Sequence, residues 1–112
     1  AAASFDGGLT WTPSAPPFSA CSGATGAGGT PYQRATDPWV TFAADGTAYF
    51  MALAFTGPSF GANSANAMLV ARSTDGGRTW SAPVTLIADA GGTHFNDKNA
   101  IAADATDARY VY

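Results

Sequence analysis

Apolar residues in this chain fall into short runs the length of strands, separated by turn-forming residues. Residues 40–44 and 47–55 flank Asp45-Gly46, a pair that supplies the positive φ angles of a tight turn, so this stretch predicts a β-hairpin. Residues 67–72 and 81–87, rich in Val, Leu, Ile and Thr, predict a second hairpin around the turn between them. Four antiparallel strands are therefore expected. The stretches 12–36, 56–66 and 88–96 have loop chemistry, and the first is long for a connection. The longest apolar run, residues 48–55, is far short of the roughly 20 residues that cross a bilayer, so no membrane span is expected.

Composition supports an all-β class. The 112 residues are 46% hydrophobic and 12% charged, and all eight acidic residues are Asp. Without Glu the chain lacks the mixture of Glu, Lys and Arg that coats surface helices, whereas 13 Gly and 7 Pro suit strands joined by tight turns. A net charge of -3, with five scattered basic residues, gives no footprint for nucleic acid or an anionic membrane. Cys21 is the only cysteine, so an internal disulfide is excluded. One His and one Cys cannot make a zinc site, the Gly-rich stretch 23–29 lacks a phosphate-loop ending, and neither a metal nor a cofactor is expected.

The chain also repeats. Ser4-Phe5-Asp6-Gly7-Gly8-Leu9-Thr10-Trp11 and Ser73-Thr74-Asp75-Gly76-Gly77-Arg78-Thr79-Trp80 agree at six of eight positions, at an offset of 73 − 4 = 69. A looser repeat pairs residues 37–50 with 97–112, where Asp37 to Asp97 is an offset of 60 and Tyr49 to Tyr110 one of 61. Short strands that recur at such offsets, with turns at fixed places, have the sequence form of a propeller blade. In each turn the Asp carboxylate is expected to accept hydrogen bonds from backbone N–H groups two residues on, with Gly8 and Gly77 taking the left-handed conformation. Trp11 and Trp80 are expected to fill the wedge between neighbouring sheets, each ring worth roughly 2–3 kcal/mol when buried.

At these residues the chain resembles the Asp-box, or BNR-repeat, family, which includes sialidases. The resemblance implies a segment of a β-propeller with four-stranded antiparallel blades and a six-bladed sialidase-like parent. Residues 1–11 would end one blade, 12–36 form a long connection, 37–87 a complete blade, and 88–112 a connection and the first hairpin of the next. It gives Ser4, Asp6, Gly8, Thr10 and Trp11, with Ser73, Asp75, Gly77, Thr79 and Trp80, a structural role away from the chemistry. It further implies a secreted or cell-surface glycoside hydrolase acting on glycans, the alternative being a non-catalytic propeller that binds glycan or protein.

The resemblance implies an arginine cluster, a tyrosine nucleophile made basic by a neighbouring Glu, and an Asp acid/base, but the chain has neither a Glu nor the family's Arg-Ile-Pro signature, so no catalytic residue is carried across. Arg34, Asp37, His94, Asp97 and Lys98 are the candidate ligand-binding residues. Arg34 and Lys98 are cations suited to an acidic sugar, and His94 is a hydrogen-bond donor. Asp37 and Asp97 recur, which favours a role in orienting backbone. Tyr32 and Phe95 are candidates for stacking on a sugar ring, although an aromatic beside a strand more often plugs the core. The expected partners are a glycan or small sugar, together with the remaining blades of a longer chain or other copies of this one.

Overall fold

The computed structural model describes residues 1–24, 32–57, 64–90 and 94–112. β1 (Ala2–Ala3) and β2 (Thr12–Pro13) form a two-stranded antiparallel sheet. β3 (Arg34–Phe42), β4 (Ala48–Phe55), β5 (Asn66–Ser73) and β6 (Val84–Asp89) form a four-stranded antiparallel sheet in chain order. A 3-10 turn, Ala20–Ser22, is the one helical element among the described residues, and no helix there is long and apolar enough to cross a membrane.

The expected strands are present with shifted ends. β3 starts at Arg34 rather than at residue 40, because its pairing with β4 continues past an irregularity between Thr36 and Trp39. Asp37 there has φ 51, and Pro38, which has no N–H to donate, sits on an edge strand where none is required. β6 runs from Val84 rather than from residue 81, because the second turn and the residues after it occupy the first positions.

Register assigns the faces, since residues directly opposite in an antiparallel pair point to the same side. One face carries Val40, Phe42, Ala48, Phe50, Ala52, Ala54, Ala67, Leu69 and Ala71. The N-terminal segment covers its centre: Phe18 and Tyr32 join Phe50 and Leu69 in one core cluster, with Trp80 against it. The opposite face carries Trp39, Tyr49, Met51, Leu53, Met68, Val70, Val84 and Ile87. Ile101, Phe95 and Val111 from the C-terminal segment pack there. Both faces of β4 are therefore buried, which explains why its sequence is almost continuously apolar rather than alternating.

The fold class needs correction. The strands form two open antiparallel sheets, one of two strands and one of four, and neither closes or curls, so the expected segment of a β-propeller with a six-bladed sialidase-like parent is not supported. The physical reason is the reach of the motif. An eight-residue turn fixes its own hydrogen bonds and the two strand ends it joins, not the number of sheets around it or their closure.

Candidate functional site

Both repeated turns are closed by a carboxylate. Asp75 accepts at Oδ1 from the Ser73 hydroxyl at 2.7 Å and from the Arg78 and Thr79 N–H groups at 2.9 Å each. Its Oδ2 accepts from the Thr79 hydroxyl, and Ser73 Oγ accepts from Gly77 N–H at 2.8 Å. Asp6 repeats the arrangement with Ser4 and Thr10, and Ser4 Oγ accepts from Gly8 N–H at 2.7 Å. The backbone donors lie three and four residues on, not two, because two consecutive left-handed glycines lengthen the turn: Gly7 and Gly8 at φ 73 and 91, Gly76 and Gly77 at φ 73 and 88. The Thr10 hydroxyl, then its N–H and the Ser4 hydroxyl, hold the Asp6 carboxyl at about 2. The Thr79 hydroxyl leads the same set of donors in pulling Asp75 well below the usual carboxylate range.

The two turns also pack on one another. The Arg78 guanidinium lies 3.4 Å from the centre of the Phe5 ring. Trp80 Nε1 donates to Ser14 Oγ at 3.1 Å, and that hydroxyl in turn donates to the Gly77 carbonyl. The two tryptophans differ despite their shared motif. Trp80 packs 5.5 Å from Phe50 between ring centres, whereas Trp11 is 63% exposed and fills no wedge within this chain.

The candidate ligand residues are only partly brought together. Asn99 Nδ2 donates to the Asp37 carbonyl at 2.9 Å, so the start of the C-terminal segment lies against the irregularity in β3. Asp97 Oδ1 accepts from Lys98 N–H at 2.9 Å, and Lys98 itself has φ 61. Among the described residues the non-glycine positions with positive φ are Asp37 and Lys98, at an offset of 98 − 37 = 61. Asp37 therefore corresponds structurally to Lys98 rather than to Asp97. Arg34 borders a separate cleft of about 470 Å³ between β3 and the N-terminal segment, lined also by Phe18, Phe50 and Pro38. His94 is exposed, and its carbonyl accepts from Asn66 Nδ2 at 3.4 Å. Tyr32 is buried in the core and Phe95 packs edge-on against Phe55, so neither is free to stack on a ligand. Residues 25–31, 58–63 and 91–93, the middles of the three expected functional loops, lie outside the described residues.

Sequence reading missed Asn66. Fully buried at the start of β5, it accepts at Oδ1 from both the N–H and the Nδ2 of Asn96, at 2.9 and 2.7 Å, while Asn96 Nδ2 also donates to Asp89 at 2.8 Å. This clamp holds the C-terminal segment across the end of the sheet. The sequence marks the residue but not its partner: Asn is disfavoured in strands and here precedes the apolar run 67–71, while Asn96 lies 30 residues away.

The apolar surface was missed as well. Val40 and Phe42 on one face, and Val84 and Ile87 on the other, are 44–60% exposed. Val40 and Phe42 line a groove of about 400 Å³ whose far wall is Ala1, Ala2, Ala3 and Trp11.

No protein-family model matches the chain, and neither a curated protein nor a solved structure does. With two open sheets and no such match, the reading of this chain as a BNR-repeat, sialidase-like glycoside hydrolase acting on carbohydrate is set aside, as is its non-catalytic propeller alternative. Two matching turns describe a hairpin bend, and a bend of this kind carries no substrate chemistry.

Proposed function

We propose that this chain is an association module that takes further β-structure onto the open halves of its four-stranded sheet. The observation that carries the reading is the pair of apolar strips, Val40 with Phe42 and Val84 with Ile87, left exposed on opposite faces beside well-covered cores. Contiguous exposed apolar surface next to packed core marks a place where protein docks. The two edge strands, β3 and β6, add backbone groups without a neighbouring strand in this sheet.

The test is binding of anilinonaphthalene sulfonate, a fluorescent probe of exposed apolar surface. The wild-type chain is expected to bind it. The double variants Val40→Lys/Phe42→Lys and Val84→Lys/Ile87→Lys should each lose a large part of the signal with the far-ultraviolet circular dichroism unchanged. Equal dye binding by all three proteins overturns the reading.

A further inference from the structure

Asp-Gly occurs three times in the chain, at Asp6-Gly7, Asp45-Gly46 and Asp75-Gly76. The dipeptide carries a reaction of its own, because glycine has no side chain to shield its backbone nitrogen from the carboxyl carbon of the residue before it. That nitrogen, on losing its proton, bonds to the Asp Cγ, the carboxyl C–OH bond breaks, and one water leaves. The product is a five-membered succinimide. Water then adds to either ring carbonyl and breaks its bond to the nitrogen. Attack at the former main-chain carbonyl leaves isoaspartate, with the chain running through Cβ and Cγ. Mass and redox state end as they began.

The fold treats the three copies differently. Asp75 is held by Ser73, Arg78 and Thr79, whose hydroxyl and N–H groups engage both carboxylate oxygens. The carboxyl must release these donors to reach the nitrogen of Gly76, a glycine that Phe5 also crowds. Asp6 is held at both oxygens by Ser4 and Thr10, and Gly7 is uncrowded. Asp45 is exposed, and Thr47 is the one other residue that holds its carboxylate, through the N–H bond to Oδ1 at 2.9 Å. Gly46 faces open space. One further bond, from Gly46 N–H to the Ala43 carbonyl at 2.9 Å, closes this turn and must open for the nitrogen to attack.

We infer that Asp45-Gly46 is the chain's site of spontaneous isoaspartate formation, and that the Ser and Thr donors of the two repeated turns protect the same dipeptide at Asp6 and Asp75. The protection has two parts. Donors at both oxygens tie the carboxyl to Thr10 or Thr79, four residues on, and so oppose its swing to the next nitrogen. They also favour the ionised carboxylate, holding Asp6 at about 2, which withdraws the protonated form whose OH leaves as water. The order of reactivity is Asp45, then Asp6, then Asp75.

Isoaspartate adds one atom to the main chain. At Asp45 that atom falls inside the turn from β3 to β4, between the Ala43 N–H and the Thr47 carbonyl that it bonds at 2.9 Å. The adjoining strand pair is Phe42↔Ala48, so the modification loosens the hairpin at the end where Phe42 stands exposed. This chemistry is independent of the association reading above.

The test is ageing of the full chain in mildly acidic buffer, followed by brief trypsin digestion. Cleavage after Arg34, Arg72 and Arg78 puts the three dipeptides in separate peptides, and electron-transfer fragmentation distinguishes isoaspartate from aspartate in each. Isoaspartate should accumulate at Asp45 several-fold faster than at Asp6 and about tenfold faster than at Asp75, whose donors are the most numerous. In concentrated urea, where these bonds are lost, the three rates should converge. Thr79→Val and Ser73→Ala, each with far-ultraviolet circular dichroism retained, should speed the reaction at Asp75 several-fold and leave Asp45 unchanged. Equal rates at the three sites of the folded chain, or a lead by Asp6 or Asp75, overturn the inference. So do rates that stay as far apart in urea, or an Asp75 that remains as slow in both variants.

Discussion

The indole N–H of Trp80 donates to the hydroxyl of Ser14, 66 residues away, at 3.1 Å. The same hydroxyl donates to the Gly77 carbonyl, so one small side chain ties the N-terminal hairpin to the second turn. Ser14→Ala should leave the indole N–H without its partner and lower stability by about 1 kcal/mol, a fall in Tm of roughly 5 °C. Thermal denaturation followed by tryptophan fluorescence reads this. An unchanged Tm would mean that the two turns are not coupled through Ser14.

Gly7 and Gly76 occupy the same place in the two turns and share φ 73, but only one has a neighbour. A Cβ built on Gly76 falls 2.8 Å from Phe5 Cε1, while one on Gly7 meets nothing within 4 Å. Both Gly→Ala changes should cost about 1 kcal/mol for the left-handed backbone. Gly76→Ala should cost more, by displacing Phe5 from under Arg78. Adding Phe5→Ala should remove that excess and leave the backbone cost, as a double-mutant cycle in urea measures.

Acid should loosen both turns. The folded state holds the Asp6 carboxyl at about 2 against an ordinary 3.8, and lowers Asp75 by the same kind of donors. Below about pH 4 the unfolded chain takes up protons that the folded turns do not, so stability falls with pH. The contribution of Asp6 is complete above about pH 5 and lost as pH drops through its folded value near 2, and that of Asp75 persists to lower pH. Thr79→Val removes the leading donor to Asp75 and should move the acid unfolding midpoint upward. Urea denaturation between about pH 2 and 7 tests the sign and the window.

Replacing Asn66 by Leu should strip Asn96 of its acceptor inside the clamp and cost about 1–3 kcal/mol. The loss should loosen the C-terminal segment first. Amide exchange is expected to speed up at Asn96, whose N–H is bonded to Asn66 Oδ1, more than at Leu53 in the centre of β4. Equal acceleration at both would make Asn66 a global core residue rather than a clamp.

Much of the local structure was legible in the chain itself. The repeated Ser-x-Asp-Gly-Gly-x-Thr-Trp bends and the Asp45-Gly46 turn are set by bonds between near neighbours, and the four long strands show as apolar runs between turn residues. Thr47 N–H, for instance, donates to Asp45 Oδ1 at 2.9 Å, two residues away. The Asn66 clamp was not legible, because its acceptor serves Asn96, 30 residues on. Nor was the true correspondence of Asp37 with Lys98, since positive φ at a non-glycine residue leaves no firm mark in sequence.

Residue order alone therefore determined where the backbone bends and which runs extend, since those choices depend on side chains within a turn or two. Only the tertiary structure decided which face each strand offers, how far the flanking segments reach across the sheet, and that Trp80 is covered while its twin Trp11 is not. Coverage depends on what lies opposite in space, and two near-identical octapeptides meet different neighbours.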